Sequence, residues 1–176
     1  IAVTSDHPVR VGIVGPGWWS ETMFIPAVRS FNDAELVAIC GRNLERTTRF
    51  ARMNAIPLVF TDPVEMFQSG TIDAVIISTS NNSHHPLTMA ALDHGLHVLC
   101  EKPCGVAARD LEEMIQACEE HGVQFMDGVM FMHSQRLPRM KEVLGDGESV
   151  GSIKRITSMF SFAAPEAFLS GNIRMH

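Results

Sequence analysis

Six short apolar runs recur along this chain, and segments of helical character separate them. The clearest run, Ala74-Val75-Ile76-Ile77, is nearly all β-branched and too apolar to leave either face in water, which puts it in the middle of a parallel sheet. The others are Arg10 to Val14, Glu35 to Cys40, Leu58-Val59-Phe60, His97 to Cys100 and Gln124 to Val129. Helices are expected over 21–30, with Pro26 shortening or kinking it, over 44–53 behind an Asn43 cap, and briefly after Thr61-Asp62-Pro63. A further helix is expected to begin at Pro86 and close at Gly95. Another, over 107–121, carries Leu111, Met114, Ile115 and Cys118 on one face and Gly122 as a left-handed C-cap, and a last one covers 138–144. This alternation predicts an α/β fold, a doubly wound parallel sheet with right-handed crossovers.

The pattern changes after Gly151. Residues 153–162 alternate apolar with polar, so a half-exposed strand is expected there. We read 8–130 as one sheet domain and 131–176 as a linker helix and the start of an incomplete α+β domain. An unpaired edge at 153–162 invites association, so a homo-oligomer through that sheet is expected.

Composition removes several function classes. Lys+Arg number 14 against Asp+Glu 20, the net charge is -6, and no basic run occurs, so nucleic acid is not expected as a partner. No apolar run approaches the roughly 18 residues of a membrane span. The start, Ile1 to Asp6, lacks a secretory pattern, and a soluble, cytoplasmic chain is expected. Cys40, Cys100, Cys104 and Cys118 mostly sit in apolar runs, as reduced buried thiols do. Cys100 and Cys104 have no second pair at zinc-site spacing, so no metal is expected.

Gly15-Pro16-Gly17-Trp18-Trp19-Ser20 follows the first run and precedes a helix. In that setting Gly15 permits a tight turn, Gly17 lets a pyrophosphate approach backbone N–H groups, and Ser20 lets the helix pack on the strand. The loop, Trp18 and Trp19 included, is a dinucleotide-binding candidate in a Rossmann-like fold. At the end of the second run stands Cys40-Gly41-Arg42-Asn43, with no carboxylate to hold a ribose 2′-hydroxyl and a guanidinium able to pair with a 2′-phosphate. Gly41 and Arg42 thus favour NADP over NAD. A solvated loop arginine that admits either nucleotide is the alternative. Lys102, in Glu101-Lys102-Pro103 after the fifth run, lies where such sheets bind ligands and could act as general base; an ordinary exposed loop lysine is the plain reading.

Three segments carry a resemblance: the glycine loop; Asp73 to Ile77 leading to Asn81-Asn82-Ser83-His84; and Gly95 through Cys100 to Glu101-Lys102-Pro103. In this order they resemble the N-terminal half of the glucose-fructose oxidoreductase, inositol dehydrogenase and MocA family (Gfo/Idh/MocA). The resemblance implies an NAD(P)-dependent oxidoreductase acting on sugars, polyols, dihydrodiols or related cyclic alcohols and ketones. It implies that Ser80, Asn81 and His84 lie along the cofactor, Glu101 near the nicotinamide ribose, and Lys102 beside the reacting oxygen. From the residues alone, His84 reads equally well as a cap for the helix at Pro86. Where many members have Gly-His-x-x-Arg-Phe-x-Pro, this chain has Gly128 to Arg136 with Met132 at the arginine position. His133 and Arg136 are candidate ligands for a substrate hydroxyl or carboxylate, and Met130, Phe131 and Met132 read more readily as packing. Tyr is absent from the chain, so no tyrosine acid comes from it. A nucleotide sensor that performs no redox step is the competing function, and it would have no need of Lys102.

Overall fold

The computed structural model describes residues 7–161 together with Ala163 and Glu166. The six expected runs form β1 (Val9–Val14), β2 (Ala34–Cys40), β3 (Leu58–Phe60), β4 (Ala74–Ile77), β5 (His97–Cys100) and β6 (Phe125–Asp127). All pair in parallel, in the order β3-β2-β1-β4-β5-β6. This is the doubly wound arrangement the alternation predicted, with its reversal of strand order between β1 and β4. The residues split by strand periodicity, which a register shift in the β1–β2 pairing interrupts within β2. Val11, Ile13, Leu36, Ile39 and Ile76 face one layer with Ile25, Val28 and Ala51. Val14, Cys40, Val75, Ile77, Val98 and Cys100 face the other with Met66, Ala91, Leu92 and Met114. Both faces are covered, so the central strands are apolar throughout.

The helices connect the strands as expected, with two differences of register. After β1 comes a π-helical turn, Ser20–Phe24, that runs directly into α1 (Ile25–Arg29), with Pro26 just past the junction inside the continuous helical stretch. Then follow α2 (Leu44–Met53), capped by Asn43 Oδ1 accepting from Arg46 N, and α3 (Pro63–Gln68), capped by Asp62. The helix α4 (Asn81–Asp93) begins five residues ahead of the expected start, with Pro86 inside it. The intrahelical bond that Pro86 cannot make falls at the carbonyl of Asn82, which is exposed to water. Finally α5 (Ala108–His121) ends on Gly122 at φ 66°, the expected left-handed cap.

A compact division falls between Met130 and Phe131. Beyond it lies α6 (Arg136–Gly145), preceded by a 3-10 turn, Met130–His133. The strand expected over 153–162 is not formed at 153–161, and Phe162 lies outside the described residues. Alternation supplies a strand's side-chain pattern but not its ladder, and among the described residues no strand lies alongside to pair with it. Among these residues no helix is long and apolar enough to cross a membrane.

At the edge of the sheet opposite the glycine loop, Arg10 grips Asp73. Nη2 and Nε donate to Oδ1 and Oδ2 at 2.6 and 3.0 Å, and the backbone N of Arg10 also donates to Oδ2 at 2.8 Å. These bonds hold the Asp73 carboxyl below its usual value. A depressed carboxyl stabilises the fold above its unfolded value of about 3.9, and that contribution is lost as pH falls through the lower folded value. Asp73→Asn should lower the Tm by a few degrees at pH 7, and the difference from wild type should shrink as pH falls below the unfolded carboxyl value of about 3.9. A difference that persisted unchanged at pH 2.5 in thermal denaturation would refute the assignment.

Candidate active site

The turn after β1 is built around one residue that only glycine can supply. Gly15 has φ 108°, and a Cβ on it would stand 2.3 Å from the carbonyl oxygen of Ser78. This close approach seals β1 to the end of β4 at the reversal of strand order. Ser20, fully buried, donates from Oγ to the carbonyl of Gly15 at 2.7 Å and fastens the helix start to the turn. Gly17 differs: a Cβ there would meet nothing within 4 Å. Open space therefore fronts its backbone, next to helix amides that have no acceptor within the helix. A phosphate group fits such a place.

The end of β2 contributes unequally. Gly41 is buried, and a Cβ on it would lie 2.5 Å from Pro16 and 2.6 Å from Thr47 Oγ1. It serves the site by letting Pro16 of the glycine loop pack closely. Arg42 is exposed, and among the described residues its guanidinium makes no hydrogen bond or ion pair. Its charge is available at the rim.

From the end of β4 come Ser80 and Asn81. Ser80 is the extended residue before α4, and its hydroxyl donates to Asn82 Oδ1 at 2.8 Å rather than capping the helix. Asn81 is half-buried at the first helical position, its amide without a partner among the described residues. His84 lies inside α4 and is 1% exposed. Its Nδ1 is 2.8 Å from the carbonyl oxygen of Pro103 and its Nε2 is 3.1 Å from that of Thr79. Both contacts are carbonyl oxygens, so a neutral imidazole donates to one of the two, and His84 stands between the loops that follow β4 and β5.

Those loops hold the charged groups. Glu101 is 8% exposed and uses both oxygens within the fold: Oε1 accepts from Trp19 Nε1 at 2.7 Å and Oε2 from Lys102 N at 3.0 Å. The Lys102-Pro103 peptide is cis. Lys102 is half-buried, and its ammonium has no partner among the described residues. Trp18 is 70% exposed, with its ring 5.7 Å from that of Trp19. Beneath these loops, burial raises the Cys40 thiol to about 12, and a hydrogen bond with Cys104 together with burial pushes Cys100 up. None of the four cysteines forms a disulfide, and Cys40 and Cys100 are inert packing.

Sheet topology thus gathers Gly15, Gly17, Ser20, Ser80, Asn81, Glu101 and Lys102 at the carboxyl ends of β1, β4 and β5. His133 and Arg136 stand apart from that set in chain position: both are exposed, His133 closing the 3-10 turn and Arg136 opening α6. Two contributors were not singled out from the sequence as parts of one device, Trp19 as a donor to Glu101 and Gly128 as the neighbour of Glu101. A Cβ on Gly128 would stand 3.1 Å from Glu101 Oε1. A glycine at the end of a strand was the available signal, since it marks a close approach.

Residues 9–129 match the model of the GFO_IDH_MocA oxidoreductase family with its NAD-binding Rossmann fold. The chain belongs to this family. It is 32% identical over 167 residues to the scyllo-inositol 2-dehydrogenase (NADP(+)) of Bacillus subtilis, covering 94% of this chain and 50% of that protein. Among solved structures it resembles a 3-ketoreductase of Actinomadura kijaniata in complex with TDP-benzene and NADP. That likeness has a TM-score of 0.77 and 27% identity, over 84% of this chain and 46% of the other. A scyllo-inositol dehydrogenase of Lactobacillus casei with bound NAD(H) and scyllo-inositol aligns with a TM-score of 0.71 at 25% identity, over 80% of this chain and 42% of that one. The chain spans about half the length of the curated relatives it matches.

Proposed function

We propose that this chain is the dinucleotide-binding part of an oxidoreductase that passes a hydride between NADP, or less favourably NAD, and a sugar, polyol, dihydrodiol or related cyclic alcohol or ketone. One observation carries the reading: a glycine turn with open space at Gly17 follows β1 and a half-buried lysine follows β5, on either side of β4 at the carboxyl edge where the strand order reverses. The nicotinamide ring, when bound, accepts or returns the hydride. The chain's own groups do the rest. Backbone amides from Gly17 to Ser20 receive the diphosphate, Ser80 and Asn81 offer hydrogen bonds along the nucleotide, and Lys102 Nζ takes or returns the proton of the substrate hydroxyl. His133 and Arg136 are proposed to meet substrate oxygens. Relatives named for NADP and for inositol or ketone substrates support the same class. A cytoplasmic setting fits four free cysteines, and assembly of copies through residues 153–162 belongs to the same proposal.

Fluorescence titration with NADPH and NADH tests the nucleotide part directly. The chain should bind NADPH more tightly, and Arg42→Ala should cost about tenfold in NADPH affinity with little change for NADH. Because a side chain at Gly41 would collide with Pro16, an acidic residue intended to favour NADH belongs at position 42. Unchanged NADPH affinity in Arg42→Ala would remove Arg42 from the nucleotide site.

A further inference from the structure

We infer that Trp19 is the positioning residue for Lys102, acting through the carboxylate of Glu101; the inference rests on the reading of Lys102 as the proton-moving group. The indole lies on the first turn after the glycine loop, and its Nε1 donates to Glu101 Oε1 at 2.7 Å, across 82 residues of chain. The other oxygen, Oε2, accepts from the backbone N of Lys102 at 3.0 Å. β1 and β5 are not neighbours in the sheet, because β4 lies between them. The Trp19–Glu101 bond therefore spans the strand end at which the order reverses. It joins the loop that receives the diphosphate to the loop that carries the lysine.

The surroundings leave the carboxylate little choice of position. Glu101 is 8% exposed, and its backbone N donates to the carbonyl of Ile77 at 2.9 Å. Gly128 N donates to the carbonyl of Cys100 at 2.8 Å, and the space a Cβ on Gly128 would need is taken by Glu101 Cδ at 3.2 Å. A carboxylate so enclosed aligns with its donors, and charge-assisted bonds to an indole N–H and a backbone N–H fix both donors in turn. On the far side of Lys102, His84 Nδ1 meets the carbonyl of Pro103. Trp19 is the member of this chain of contacts that belongs to the nucleotide loop. A shift of that loop is passed to Lys102 by one side chain.

Nitrogen–proton NMR of the 176-residue chain separates this role from a general packing role. The chain has two tryptophans and three lysines, so selective labelling gives two indole signals and three lysine amides, with Trp18→Phe assigning the former. In Trp19→Phe, which keeps a ring and loses the donor, the Lys102 amide signal should move while those of Lys141 and Lys154 stay in place. Glu101→Gln keeps the shape but offers a single acceptor oxygen, so either the Trp19 indole signal or the Lys102 amide must move toward the position of an unbonded N–H. In the Glu101→Ala background the Trp19→Phe change should have no further effect on Lys102, since the path runs through the carboxylate. An unmoved Lys102 signal overturns the inference. Should wild type not bind NADPH at all, the proposed function fails while the Lys102 signal still decides the tie. If Trp19→Phe does not fold, Glu101→Gln carries the decision.

Discussion

Gly15→Ala should unfold the chain at a Tm roughly 6–12 °C below wild type and abolish NADPH binding at concentrations where wild type is saturated. Two independent penalties act at this position. An alanine at φ 108° is strained wherever it stands, and its Cβ would also be 2.3 Å from the Ser78 carbonyl, which belongs to the strand end sealed against the turn. Relief needs β1 and β4 to part at their carboxyl ends, where Ser78 N donates to the carbonyl of Val14 at 2.9 Å. Together these cost about 3 kcal/mol or more. Differential scanning calorimetry and NADPH fluorescence measure the two effects.

Loss of fold explains loss of binding without any phosphate site, so Gly17→Ala is the informative partner. Nothing lies within 4 Å of a Cβ there, and its φ is not positive, so alanine should leave the Tm unchanged or slightly raised. If a diphosphate lies against that backbone, the added methyl group should still lower NADPH affinity by about tenfold or more. A stable Gly17→Ala chain that binds NADPH as wild type does would put the nucleotide elsewhere.

What the sequence made legible was whatever local chemistry determines. Asn43 and Gly122 cap their helices because an Asx acceptor and a φ-tolerant glycine act over three or four residues. The parallel sheet followed from apolar runs that both layers of helices bury. Pro86 misled because its usual meaning, a helix start, is also local, and tertiary contacts overrode it: His84 is anchored to Thr79 and Pro103, which keeps the turn before the proline helical. The alternating run at 153–161 misled for the opposite reason, since its pattern needs a neighbouring strand that the pattern cannot specify. In the site, Gly15 and Lys102 were readable from motif and strand end. The Trp19–Glu101 bond was not, because a contact across 82 residues leaves no periodic trace. Gly41 was read as favouring NADP; that it also packs under Pro16 is a feature that only the path of the backbone reveals.

In a complete oxidoreductase containing this chain, as proposed, Lys102→Ala should lower kcat for oxidation of a cyclic polyol by about 10²–10⁴-fold, the range for loss of a positioned acid or base, and leave NADPH affinity within about threefold. The separation is expected because this substitution removes Nζ and spares every bond that shapes the loop. Lys102 N still donates to Glu101 Oε2, Glu101 still accepts from Trp19, and the Pro103 carbonyl still faces His84. None of these involves the lysine side chain. A nucleotide sensor built on the same sheet would show the same unchanged affinity but no turnover in wild type to lose. Turnover surviving in Lys102→Ala to within tenfold would instead keep the redox activity and assign the proton to another group. Steady-state rates at several pH values distinguish these outcomes: when the lysine carries the proton, the variant loses the limb of the pH–rate profile that depends on that group. If Lys102 only orders the loop, the profile keeps its shape and falls uniformly.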